Sequence, residues 1–537
     1  MPGEAGEDGI GLEPPITVDK PGRWERLRGA VVRLNESATW ATRRTAERLR
    51  EYWSGLSHRK RHFAEGILVG LLIELLLAQT GGFAVLVGIR NAAMDTVLRN
   101  HAWIENLSTE DVAPRLSLID VDEASWRDPT WGEPYRAPRH RLAQLVTYAF
   151  DHGARLVVLD VLVETSAQDA AAPGNQALAS ALAALKPGQS VILSRSIRRP
   201  LQEIDDPVAR VAPFLPDSPF DGLKTPGTII EALPEFHIDR DAQVRSWTLW
   251  HSVCIPDFPG AVFGRWRPLP SIQLAAAAQT QTFPPWRRAG GFGRCATQIS
   301  GAIPGLTTTE AADRAMRNWI ARTKPFEHSR APETDDPHAT SPDWRRFEPG
   351  SRIYYRSAYD PEACRAGPIQ RVSAVAILAK GQSAAAEVPC ALPDRLARIV
   401  IIGQSADAVG DKWATPLGPM PGAYIIANAI LSLQDPGPIE ELPWLVEGLL
   451  ALAHIGLVAW AFAWFSSVRA IAIVGLPLVV TLMLLSWVCL KFGVWIDYAM
   501  PALGIWLHRL WGQARALADH GNHVKKHGDG TEGSIGV

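Results

Sequence analysis

"LSLIDVDEASW" (116–126) and "PRHRLAQLVTYAFDHGARLVVLDVLVE" (138–164) decide how this chain folds. The first reads as a hydrophobic strand that ends in Asp120, Asp122 and Glu123. The second reads as a helix followed by another hydrophobic strand, which ends in Asp160. Two buried strands that both deliver carboxylates to their C-terminal ends build an α/β crevice, the usual place for a ligand in a sheet of this kind.

Apolar runs on either side place that crevice relative to a membrane. Residues 63–89 are long enough to cross a hydrocarbon core of about 30 Å, with Glu74 well inside the run. Three further runs follow at 442–465, 470–490 and 494–507, the last interrupted by Asp497 and Pro501. Between Arg23 and His62 stand 11 Lys and Arg against 4 Glu, a basic flank expected on the cytoplasmic side. The polar stretch ahead of the first run excludes a cleaved signal peptide. The expected architecture is therefore an α/β extracytoplasmic domain over 90–440 plus four transmembrane helices, with both termini in the cytoplasm. A bacterial inner membrane is the implied location.

The remaining segments are simpler. Residues 1–22 read as disordered. Trp24, Leu27, Val31 and Leu34 recur at helical spacing among arginines, which suggests an amphipathic helix over 23–53 lying on the membrane or on a partner. Residues 308–350 are polar and proline-containing and read as a surface insertion. The tail from 508 is short, rich in Gly and His, and expected to be solvated without binding metal. Within the outer segment, strands are expected at 116–120, 156–161, 190–193, 244–250, 353–356 and 399–402. Helices are expected at 141–152, 176–185, 272–280 and 372–379. The net charge of −2 lacks the basic excess of a nucleic-acid-binding protein.

Four ordered pieces carry a family resemblance: "LIDVDEAS" (118–125), "APRHRLAQLVTYAFDHGARLVVLDVLV" (137–163), "IDRDAQVRSW" (238–247) and "RIVIIGQSADAVGDKWATPLGPMPGAYIIANAI" (398–430). Together they resemble the type-2 CHASE domain, an extracytoplasmic sensory domain of bacterial cyclases, histidine kinases and related receptors. The resemblance implies one N-terminal helix, an outer sensory domain and three C-terminal helices, usually with a cytoplasmic output module. No such module follows the last span here, so a signal is expected to pass to a separately encoded partner. Two departures stand out. Ala242 replaces the usual Gly of the D-x-D-G-x-x-R turn, and the 308–350 insertion is atypical.

Candidate ligand-binding residues are Asp120, Asp122 and Glu123 at one strand end, Asp160 at the next, Arg139 at the start of the intervening helix, and Asp411 and Thr415 from the last motif. Clustered carboxylates suit a cation or an amine, and Arg139 suits a ligand carboxylate. The structural alternative is that Asp122 caps the helix beginning near Ala124 and that Asp160 pairs with Arg139. No Gly-x-Ser-x-Gly, Walker, His-Glu-x-x-His or Cys-x-x-Cys motif occurs, so no catalytic residue and no cofactor is assigned.

Three readings follow: a receptor subunit relaying to another protein, a structural subunit of a membrane complex, and an extracytoplasmic hydrolase. The expected partners are the lipid bilayer, a separate effector or membrane-complex subunits, and a second copy of the chain. Cys254, Cys295, Cys364 and Cys390 fall in the outer segment, where at least one disulfide is expected among three pairings. Cys489 lies in a span. Finally, Glu74 and His454 sit at matching depths in the first two spans, and an ionisable group there demands a partner, so the two are expected to face each other.

Overall fold

The computed structural model describes residues 52–528 apart from 163–171, 198–214, 281–293, 297–351, 380–389 and several shorter connections. The expected disordered segment 1–22, nearly all of the basic helix 23–53 and the insertion 308–350 lie outside the described residues.

In chain order, the first half contains α1 (His58–Gln79), α2 (Ala84–Ser108), β1 (Leu116–Val121), α3 (Glu123–Arg127), α4 (Arg139–Asp151), β2 (Leu156–Leu159), α5 (Pro173–Ala183) and β3 (Ser190–Ser194). Next come β4 (Thr228–Ala232), β5 (Phe236–Ile238), β6 (Val244–Trp247), β7 (Trp250–Pro256), β8 (Phe263–Pro270), α6 (Ile272–Thr280) and β9 (Arg294–Ala296). The last part of the domain supplies β10 (Arg365–Ala366), β11 (Ile369–Ser373), α7 (Ala374–Leu378), β12 (Ile399–Gln404), β13 (Lys412–Thr415), β14 (Gly418–Pro421) and α8 (Gly422–Gln434). The chain closes with β15 (Glu440–Glu441), α9 (Trp444–Trp464), α10 (Ser467–Leu490), β16 (Val494–Trp495) and α11 (Ala499–Gly528).

Seven strands form one sheet in the order β10-β11-β1-β12-β2-β3-β4, parallel throughout except for the β10–β11 edge. Every residue of β1, β2 and β3 is buried, which explains why these strands read as unbroken apolar runs: both faces are covered. Alternation divides them between two cores. Leu116, Leu118, Leu156, Val158, Ile399 and Ile401 pack beneath α6 and α8. Ile119, Val121, Val157, Leu159, Val400 and Ile402 pack against α4, α5 and α7. The α/β class is as expected, and it takes the doubly covered form.

Local expectations fail where side chains replace a ladder. The segment 353–356, expected as a strand, builds no ladder among the described residues: its contact with a strand is a single bridge, from Arg352 to Ser246 of β6. Its amides are satisfied one by one: Ile353 N–H donates to the Arg245 carbonyl at 2.8 Å, Tyr354 N–H to Ser432 Oγ at 2.9 Å and Arg356 N–H to Asn428 Oδ1 at 2.9 Å. Asn428 Oδ1 also accepts from Ser357 N–H at 3.0 Å, so the Asn of the last motif is a structural bracket. The expected strand 244–250 divides into β6 and β7, and the expected helix 372–379 loses its first two residues to β11, which extends beside β1 as far as Ser373.

The apolar helices also differ from the expected spans. The run 63–89 belongs to two helices. Its first part lies in α1, whereas Ala84 onward belongs to α2, which buries Met94, Val97 and Leu98 against Tyr354, Leu490 and Trp495. Asp497 and Pro501, read as interruptions of a fourth span, instead start α11. Asp497 Oδ1 accepts the Ala499 and Met500 amides, and Pro501 falls in the first turn, where its missing N–H costs nothing. The helix then runs to Gly528, through most of the segment expected as a tail.

Among the described residues, α9 from Leu445 to Trp464 and α10 from Ser467 to Leu490 are long and apolar enough to cross a membrane. The first of these packs against α1 at a close crossing. A Cβ on Gly66 would lie 2.9 Å from Ala459 Cβ, and one on Gly70 would lie 2.6 Å from Ile455. The Gly-x-x-x-Gly spacing of Gly66 and Gly70 thus sets the helix contact. On the other side of these helices Leu68, Leu72, Leu75, Leu449, Leu452 and Leu484 are exposed.

Candidate ligand site

The site grows out of one row across the sheet. Asp120 of β1 pairs in register with Gly403 of β12, and Ile402 pairs with Leu159, which brings Asp160 level with Gly403. All three positions face the layer that contains α8. Gly403 is the floor on which that helix begins: a Cβ there would meet Ala423 Cβ at 2.3 Å. Gly422, the first residue of α8, meets a similar limit, because its Cβ would strike the Asp411 carboxylate at 2.4 Å. Two glycines 19 positions apart therefore let the positive end of a helix dipole close down beside an acid.

Beside this junction lies a cavity of about 940 Å³, lined by Arg139, Asp160, Arg195, Glu235, Asp411 and Gly422 among others. Its apolar wall includes Phe236, Ile238, Val244 and Trp413. It opens at the C-terminal ends of β2, β3 and β12, where an α/β sheet presents ligand sites. Asp411 is fixed by Trp413 Nε1–H, which donates to its Oδ1 at 2.7 Å. Burial pushes the Asp160 carboxyl up to about 8, and the nearby charge of Asp411 adds to the effect. The pair thus presents one carboxyl that holds its proton near neutral pH next to a second acid. Such a pair can donate to a ligand oxygen, or release the proton when a cationic group arrives.

Three of the seven sequence candidates, Arg139, Asp160 and Asp411, meet in this cavity. The others serve elsewhere. Asp122 caps α3, its Oδ1 accepting Ser125 N–H at 2.9 Å and Ser125 Oγ–H at 2.8 Å, so the structural alternative holds for that residue. Glu123 pairs with Arg127 one turn along at 3.1 Å. Thr415 closes the β13–β14 turn, its hydroxyl donating to the Gly418 carbonyl at 2.6 Å and accepting from Leu417 N–H. Asp120 is sealed from solvent. Its Oδ2 accepts from Ser405 Oγ at 2.8 Å and lies 3.9 Å from Arg371 Nε, while its Oδ1 has no hydrogen-bond partner among the described residues. Burial pushes its carboxyl up to about 7 against the opposing pull of Ser405.

The expected Asp160–Arg139 bridge does not form, because Arg139 donates to Asn175 Oδ1 at 2.6 Å while the charged neighbour of Asp160 is Asp411. Glu74 and His454 are not brought together either. The contacts of Gly66 with Ala459 and Gly70 with Ile455 set an antiparallel register that carries position 74 past His454 to the level of position 451. The electrostatic neighbours of Glu74 are Glu447 and Asp497, and His454 Nδ1 is buried without a hydrogen-bond partner among the described residues. Matching depth along two sequences fixes a helix register only to within a turn, and the glycine contact fixes the rest.

Sequence reading missed Arg195, Glu235, Phe236 and Trp413. Arg195 had a visible signal, since it directly follows the buried strand β3 as Asp160 follows β2. It is fully buried and ion-paired with Glu231. Cys364 and Cys390 form a disulfide with Cα atoms 5.2 Å apart, as expected of at least one pair, and Cys254 is disulfide-bonded as well. Cys489 is free.

Compared with known proteins, residues 68–465, well over half of the chain, match the sequence profile of the CHASE2 domain. No curated protein and no solved structure matches.

Proposed function

Because the chain belongs to the CHASE2 domain family, whose domain is sensory and extracytoplasmic, we propose that it is a membrane-anchored receptor subunit that detects a small molecule in the cavity beside α8. The observation that carries this reading is the cavity itself, with two acids on one wall and Trp413, Phe236 and Ile238 on another. The ligand class that suits it is an amine with an apolar body. Its ammonium group meets Asp160 and Asp411, and its body lies on the aromatic wall. Anchoring falls to α1, α9, α10 and the start of α11, with the α/β domain outside and the chain ends in the cytoplasm of a bacterial inner membrane. The signal passes to a separately encoded effector through these helices, whose exposed leucines face lipid or a partner's helices.

The test is thermal stabilisation of the purified full-length chain by a panel of small primary amines and their N-acetyl counterparts. The amines with apolar bodies should raise the melting temperature of the native chain, the acetylated set should not, and Asp160→Asn should abolish the response while remaining folded. Equal stabilisation by both sets would reject the amine assignment. A response unchanged by Asp160→Asn would move the ligand away from this cavity.

A further inference from the structure

A second cluster of charge lies between the cavity and the helices that lead to the membrane. The turn joining β5 to β6 carries Asp239 and Asp241, and Arg245 follows on β6. The Arg245 guanidinium holds Asp241 with two hydrogen bonds, from Nη1 at 2.7 Å and Nη2 at 2.6 Å, and Nη1 also donates to Asp239 at 2.8 Å. Its Nε donates across to Asp95 of α2 at 2.8 Å. The other oxygen of Asp95 takes Arg352 Nη1 at 3.3 Å, and Arg352 Nη2 reaches Asn91, one turn back on α2, at 2.7 Å. Asp95, Arg245 and Arg352 are all buried.

Both ends of this cluster are attached to something that matters. Phe236, Ile238 and Val244, the residues flanking the turn, line the cavity. Gln243 within the turn bridges to Ala414, next to the cavity residue Trp413. At the other end, α2 is fastened to the apolar helices. Arg90 Nε donates to Asp497 at 2.6 Å, Tyr498 donates to the Ala93 carbonyl at 3.0 Å, and His101 Nε2 lies 2.6 Å from the Trp487 carbonyl with its ring stacked on that indole.

We propose that the β5–β6 hairpin and its arginine form the coupling between the cavity and the membrane helices: an occupant pressing on Ile238 and Val244 shifts the hairpin, and Arg245 passes the shift to Asp95 of α2. This rests on the cavity being the ligand site. The coupling is stiff, because a short charge-assisted hydrogen bond between buried groups resists being pulled apart. Drawing Arg245 off Asp95 leaves one oxygen of a buried carboxylate without its hydrogen bond and only Arg352 to balance the charge, so the helix must either follow the hairpin or loosen around Asp95.

A covalent occupant tests the link without any knowledge of the ligand. In the full-length chain with Cys489→Ser, Leu162→Cys places a thiol at the cavity wall for alkylation by N-benzylmaleimide, and hydrogen–deuterium exchange then reports on residues 91–98 of α2 in detergent. Alkylation should speed exchange in that segment about five-fold, the lower end of typical coupling between sites. The effect should vanish in Asp95→Asn and be reduced in Asp241→Asn, which leaves Asp95 itself intact. An unchanged α2 after alkylation, whether or not the hairpin responds, would overturn the coupling. So would an equal response in Asp95→Asn, since the motion would then travel by another route. The amine titration decides separately whether the cavity binds, so failure of the one is distinguishable from failure of the other.

Discussion

Asp120→Asn removes a proton-binding group from the centre of the sheet, and its effect on stability should depend on pH in a defined direction. Burial raises this carboxyl from 3.8 to about 7. The folded chain therefore holds the proton more tightly than the unfolded one. The stabilisation is complete below the unfolded value and is lost as pH rises through about 7. About three pH units at about 1.36 kcal/mol each set an upper limit near 4 kcal/mol. The pull of Arg371, 3.9 Å away, is already contained in that value, and the part of the change that falls above about pH 5 is about 3 kcal/mol. Asparagine keeps the shape and an acceptor for Ser405 but never ionises.

The assay is denaturant unfolding of the native chain and the variant in mild detergent, followed by tryptophan fluorescence, between about pH 5 and about pH 8.5. Asp160 titrates in the same window, so the quantity to follow is the difference between the two proteins, from which its contribution cancels. Asparagine should gain on aspartate steadily as pH rises to about 7 and then level off. A difference that is flat over this window would refute the reasoning, because it would mean that Arg371 keeps Asp120 ionised throughout.

Two further outcomes follow. Ala242 adopts a left-handed backbone with φ of 61°, so Ala242→Gly should stabilise the chain by about 1 kcal/mol in the same unfolding assay, and Ala242→Val should destabilise it. With Cys489→Ser as background, Lys186→Cys on the α/β domain should react with an impermeant maleimide in intact spheroplasts while Thr531→Cys should not; the reverse pattern would invert the proposed topology.

Ala242 shows how far a motif can be trusted when one residue departs from it. The turn of "IDRDAQVRSW" keeps its left-handed residue with alanine in the glycine position, because Asp239, Asp241 and Arg245 close around it. The strain of a single residue is small beside a buried charge network that fixes the loop from both sides.

What the sequence determined by itself was the α/β class and most of the elements of the sheet and its covering helices. Apolar strands ending in acids announced an α/β domain with a crevice at the strand ends, and α6 was legible to the residue over 272–280. The membership in the CHASE2 family was carried by the order of its motifs. Only the tertiary structure decided which of the acids share a site. Asp120, Asp122, Glu123 and Asp160 all looked alike as strand-end carboxylates. Yet β12, from the far end of the domain, inserts between β1 and β2 and separates Asp120 from Asp160 by the width of a strand. Helix α8 then starts over Gly403, leaving Asp160 and Asp411 at a cavity and Asp120 sealed beneath. The same holds for Asp95, an unremarked residue of an apolar helix until Arg245 and Arg352 converge on it. The physical reason is common to both cases. A side chain's chemistry is set by the dielectric and the charges around it, and those are supplied by residues hundreds of positions away that only packing brings near.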